Sequence, residues 1–145
     1  MLGELNHEEI ERLLMRATVG HIGCHAEGRT YVVPITYAYD GECVYAHSAD
    51  GLKIRTMRAN SNVCFEVEEI ADLAHWASVV AWGTFEELSG ASEERASALL
   101  RARFGSGLVS ETALLHLRRL GIAQEASRTT LFRIQLQEKT GRFER

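Results

Sequence analysis

The chain has 145 residues, of which 46% are hydrophobic, 25% charged and 8% aromatic, with a single proline. This is the length and composition of one globular domain, residues 1–145, and it excludes a fibrous or proline-rich chain. Sixteen basic and 20 acidic residues leave a formal net charge of -4, which argues against broad, backbone-driven nucleic-acid binding. Fourteen of the basic residues are arginine; the two lysines are Lys53 and Lys139. Cys24, Cys43 and Cys64 are widely spaced and form no CxxC pair. They read as small apolar strand residues in a reducing compartment, not as a disulfide framework or a zinc site. No run approaches the roughly 18 apolar residues of a membrane helix. The acidic, amphipathic start MLGELNHEEIERLL is unlike a signal peptide. The expectation is a cytoplasmic protein with no membrane or nucleic-acid partner.

The first element is a helix. Asn6 can cap it, Glu8, Glu9 and Glu11 suit its positive end, and Leu5, Ile10, Leu13, Leu14 and Ala17 form an apolar face. Strands follow over 19–25 and 30–39, joined by the turn Glu27-Gly28-Arg29, and Asp40-Gly41 turns the chain back into a strand over 42–47. Pro34 lacks an N–H, so it belongs at a sheet edge or a bulge. A short helix is predicted over 52–59, capped by Ser48 or Asp50. A strand over 63–67, a connection over 70–75 and a long strand over 76–88 come next, with Gly83 as a bulge. A helix over 92–103, a second helical stretch over 110–120 and a closing strand over 129–137 complete the chain. About six strands, mostly antiparallel, with peripheral helices suit a small closed barrel, which removes exposed edges. The competing arrangement is a simple α+β sandwich.

The densest polar cluster runs from Tyr45 to Lys53, between a strand end and a helix start. A helix N-terminus presents free N–H groups that attract an anion. Ser48 can add a hydroxyl, Lys53 a point charge and Arg58 a directional one. Together they suit a phosphate; the same residues also suit a capped helix with a solvated lysine. No Walker A loop and no GxGxxG occurs.

Three segments together carry a family resemblance: EIERLLMRATVGHIGC, then YVVPITYAYDGECVYAHSADGLKIRTMRANSNVCFEVEE, then HWASVVAWGTFEEL. In order and spacing they resemble the FMN-binding split-barrel family of pyridoxamine 5'-phosphate oxidases, nearest to its nitroimidazole-resistance branch. The resemblance implies a mainly β, antiparallel, six-stranded split barrel with peripheral helices. It also implies a homodimer with FMN at the subunit interface. On this likeness the flavin ring lies against Val33, Pro34, Ile35 and Thr36, with Ala46, His47 and Ser48. Lys53 and Arg58 hold the phosphate, and Trp76, Ser78 and Val79 resemble the later strand that lines the cofactor, often from the partner subunit.

The implied activity is an oxidoreductase passing hydride or electrons between reduced FMN and a small molecule, akin to nitro-compound reduction, with His47 beside the flavin as the candidate proton donor or as a hydrogen-bonding spacer. The closing LFRIQLQEKTGRFER has no equivalent of the arginine-containing, substrate-recognising end of the full oxidases, so vitamin B6 oxidation is not expected. Alternatives are a non-catalytic flavin carrier or sensor, or a split barrel holding a deazaflavin or haem, the last pointing to His116. His21 and His25 share a strand face and read as surface histidines, and His75 lies at the mouth of the implied site. Ser48 and Ser78 sit in no GxSxG elbow, which argues against hydrolase chemistry.

Overall fold

A computed structural model describes residues 1–105 and 129–145. In chain order the elements are β1 (Leu2–Glu4), α1 (His7–Arg16), β2 (Val19–Ala26), β3 (Arg29–Thr36), β4 (Ala38–Tyr39) and β5 (Cys43–Ala49). They continue with α2 (Leu52–Ala59), β6 (Asn62–Asp72), β7 (His75–Glu87), α3 (Ala91–Phe104) and β8 (Thr129–Glu144). The predicted stretch 110–120, and with it His116, lies outside the described residues.

All strand pairs are antiparallel, and the sheet runs β3-β2-β6-β7-β8-β5-β4, with β1 added to β8. The closed six-stranded barrel expected from the sequence does not form. Eight strands are described, and the hydrogen-bonded path is open between β3 and β4. These two ends are neighbours in the chain, separated only by Tyr37. The reason for the gap lies in the residues there. Pro34 on β3 has no N–H to offer a further strand, and β4 is two residues long. Tyr37 sends its N–H to Thr18 O at 3.3 Å, outside any ladder. Its ring is fully buried edge-on to Phe65, and its hydroxyl donates to Leu14 O at 2.6 Å.

One core fills the concave side of the sheet, from Ile22 and Phe65 through Val79 and Ala81 to Phe132, Ile134, Val44 and Ala46. Helix α1 adds Ile10, Leu13 and Leu14 to it, and α2 adds Ile54 and Met57. Helix α3 covers the other face of β5, where Cys43 and Tyr45 meet Ala96 and Leu99. Strand β5 is therefore buried on both faces. Gly83 marks the expected bulge: the β7–β8 register shifts between Trp82 and Gly83. A side chain at Gly83 would collide with the Gln135 backbone. The three cysteines lie on β2, β5 and β6 as free thiols. The expected connection over 70–75 is mostly strand, because β6 runs on to Asp72 and β7 starts at His75. Among the described residues, no helix is long and apolar enough to cross a membrane.

Candidate functional site

Strand β5 ends at Ala49, and α2 starts three residues later. Neither Ser48 nor Asp50 caps that helix. Its N-cap is Gly51, which makes no side-chain hydrogen bond, and its first turn holds no acid. The Ser48 hydroxyl instead donates to Ala49 O at 2.9 Å, and Asp50 faces Arg58 at 3.2 Å. The first N–H groups of α2 thus carry no side-chain acceptor among the described residues.

Lys53 stands in this first turn, half-buried. Burial holds its ammonium below the usual lysine range, and the nearest compensating influence is the Cys24 thiol on β2. Among the described residues it makes no ion pair. A cation at the positive end of a helix, partly desolvated and unpaired, is unfavourable on every electrostatic count. A bound anion pairs the ammonium, answers the helix dipole and so offsets the cost of the lysine's burial. Arg58 lies five residues on, about 140° round the helix from Lys53. Its guanidinium is held by Glu87 and Asp50. The structure does not bring Arg58 and Lys53 together.

Strand alternation divides the remaining candidates. Ile35, Ala46 and Val79 are buried in the core, and Val33 packs against it. Pro34 and Thr36 are exposed on the convex face, with Ser78 and Trp76 half-buried on the same side of β7. Trp76 donates from its ring N–H to Glu144 at 3.2 Å. The buried Ser48 follows Val44 and Ala46 in the alternation of β5. His47 takes the opposite face from Ala46, and its Nε2 is buried without a hydrogen-bond partner among the described residues. His75 is paired with Asp72 at the β6–β7 turn. His25 meets Thr30.

The convex face also carries a group that sequence reasoning passed over. Glu66, in the run VCFEV, pairs across the sheet with His21 on β2 and Val80 on β7. One carboxylate oxygen lies 3.7 Å from His21 Nδ1, and the other is buried with no partner among the described residues. Burial, with a smaller push from Glu68, raises its pKa against the pull of His21. The available signal was an acid in the middle of an apolar strand. Beside it, exposed Val32 and Trp82 flank Gly23 and Cys64 in a groove of about 380 Å³.

A family model described as pyridoxamine 5'-phosphate oxidase matches residues 6–143. The chain belongs to this family. Pyridoxamine 5'-phosphate oxidase-like proteins form a flavoprotein fold family, and membership is consistent with flavin-dependent redox chemistry. A Mesorhizobium loti structure, described as a FAD-binding protein, is 30% identical with TM-score 0.73, over 100% of this chain and 99% of that one. A FAD-binding protein of Mycobacterium smegmatis, 22% identical with TM-score 0.65 over 98% of this chain and 100% of its own, shares the fold. So does a Bacteroides thetaiotaomicron protein classed with 5-nitroimidazole antibiotic resistance, 18% identical with TM-score 0.73 over 99% and 87%. An uncharacterized Rhizobium meliloti protein is 34% identical over 84 residues, which are 58% of this chain and 56% of that protein.

Proposed function

We propose that the chain binds FMN and acts as an oxidoreductase on a small oxidised molecule, in the manner of a nitro-compound reductase. The observation that carries this reading is the N-terminus of α2: N–H groups with no side-chain cap beside a half-buried lysine that has no ion pair among the described residues. A dianionic phosphate supplies what both lack. In this reading Lys53 and the α2 N–H groups hold the phosphate, with Ser48 beside them. Exposed Pro34 and Thr36 on the free edge of β3 take the ring, and Trp76 and Ser78 line it from β7. Arg58 stays tied to its carboxylates and serves the turn that positions Lys53. When bound, the flavin supplies hydride or electron transfer, and the protein supplies position and electrostatics. His47 is the proton donor in this reading, because its Nε2 is buried with no hydrogen-bond partner among the described residues.

The site is open on the convex side, and a second copy of the chain is the proposed cover. Val32 is 63% exposed and Trp82 44%, together in the groove over Gly23 and Cys64. Contiguous apolar exposure of this kind marks interaction surfaces.

The test is the visible spectrum of the purified protein, chromatographic identification of the released cofactor, and sedimentation of the loaded protein. A flavin spectrum, a flavin in the supernatant (as FMN or as its dinucleotide) and a dimer are the expected results. Because the Mesorhizobium relative is described as FAD-binding, released FMN and FAD must be distinguished. A colourless protein that also fails to bind added flavin overturns the reading.

A further inference from the structure

A second cavity, of about 360 Å³, lies between the β2–β3 turn and α2. Glu27 and Arg29 line it from the turn, and Leu52, Arg55 and Thr56 from the helix. Its size falls within the range of small-molecule sites, roughly 300–1,000 Å³. Arg16, Arg58, Arg133 and Arg145 each have a carboxylate within ion-pair distance. Among the described residues Arg29 and Arg55 have none, as is also true of Arg12, Arg95, Arg101, Arg103 and Arg142, but these two line one cavity. Two unpaired guanidiniums therefore flank one cavity in a chain of net charge -4.

The other groups narrow what fits between them. Thr56 cannot serve a ligand as donor, because its hydroxyl is committed to Leu52 O at 2.7 Å. Polar contact from the helix side falls to Arg55. Glu27 holds a left-handed backbone, φ 53°, in a turn whose next residue, Gly28, is also left-handed. Its carboxylate accepts but does not donate. Two guanidiniums and one acceptor-only group suit a phosphate ester joined to a sugar diol: the forks match phosphate oxygens, and the carboxylate accepts from ribose hydroxyls. Guanidinium planes and the partly exposed Leu52 side chain offer surfaces for a flat base.

The cavity lies beside the helix that carries the site already described, with Leu52 in its lining. Leu52 precedes Lys53, and at the N-terminal end of α2 the two faces of the helix meet. At the other end, Asn60 Nδ2 donates to His25 O at 2.9 Å and ties the helix to β2. The helix between spans about 12 Å at 1.5 Å per residue. A flavin mononucleotide ends at the first turn. A flavin dinucleotide has a second nucleotide to place, and this cavity is the adjoining space with the matching chemistry.

We infer that the cavity between the β2–β3 turn and α2 receives the adenylate half of a flavin dinucleotide, with Arg29 and Arg55 on its phosphate and Glu27 on its ribose. This rests on the flavin reading above. The test is fluorescence titration of the full chain with FMN and with FAD, in the native protein and in an R29A/R55A variant. The native protein should hold FAD at least about tenfold more tightly than FMN. The variant should lose that advantage while its FMN affinity stays within about twofold, which also shows that it folds. An R29K/R55K variant should keep most of the FAD preference. Equal native affinity for the two flavins, or a double variant that weakens both alike or neither, overturns the inference and leaves the flavin reading standing. A native protein that binds neither flavin overturns both.

Discussion

At α1 the chain answers its first N–H groups from within. Asn6 accepts from Glu9 N at 2.9 Å, Glu9 accepts from Asn6 N at 2.9 Å, and Glu8 adds a second acid to the first turn. At α2 Gly51 offers no side chain, the first turn holds no acid, and Lys53 adds like charge to the positive end. Both helices bury an apolar face in the same core, so packing does not separate them. What separates them is whether the terminus is finished by the protein or left for something else. A local rule that holds at one helix and is broken at its neighbour marks the neighbour as the place where stability has been exchanged for binding.

The contrast can be broken in four ways. The largest effect is expected from Lys53→Ala, which should weaken flavin retention at least about tenfold, or about 1.4 kcal/mol, in fluorescence titration. The same change should leave the thermal stability of the flavin-free protein unchanged or slightly higher, since burial already works against the charge. Next, Asn6→Ala removes the capping box and should cost about 1 kcal/mol, read as a melting temperature lower by roughly 2–4 °C, with flavin affinity untouched. Third, Gly51→Asp finishes α2 in the way α1 is finished. The backbone there is extended, and an added Cβ meets nothing closer than Ala49 O at 3.9 Å. Stability should rise by a few tenths of a kcal/mol, while flavin affinity falls several-fold because the new carboxylate competes for the same N–H groups. A variant that gained in both would end the argument that the terminus is kept open for an anion.

The smallest effect concerns two carboxylates that follow the same division. The Asn6 backbone N–H holds the Glu9 carboxyl below its usual range, so its contribution is present at neutral pH and is lost as pH falls through the lowered value. Glu66 runs the other way. Its raised pKa favours the folded state in acid, and that advantage is lost as pH rises through the raised value. Glu66→Gln should therefore raise the melting temperature by about 1–2 °C at pH 7.5 and leave it unchanged at pH 4 or below. Equal shifts at both pH values would show that packing, not ionisation, decides the effect.

Local chemistry was the legible part. The Asn6 cap places the start of α1, the apolar spacing places α2 at Leu52–Ala59, and Gly83 marks its bulge. Pro34 proclaims an edge, and β3 is one. Pairing order was not legible, because alternation states which residues share a face and is silent on which strand lies beside it. That is why the sheet was expected to close and does not. The candidate site divides along the same line. Lys53 stands out as one of two lysines, and its position on a helix start can be read directly. That Arg58 is already engaged depends on Glu87, 29 residues away. The cavity at Arg29 and Arg55 likewise needs the β2–β3 turn brought against α2, and Glu66 becomes unusual only when its neighbours close over it.

The position of β8 has a consequence for how the fold is reached. This last strand in the chain sits inside the sheet, between β7 and β5, with β1 along its far end. Cys43 pairs with Gln135 and Leu2 with Glu144, so the contacts that join the two halves span most of the chain. Closing loops of that length is entropically slow, and high contact order lowers folding rates by orders of magnitude. During synthesis the β5 edge and the β7 edge both emerge and wait. Until Thr129–Glu144 follows, the nascent chain carries two unpaired, apolar strand edges, and its exposure to misassembly is set by the time needed to make the residues between Glu87 and Thr129.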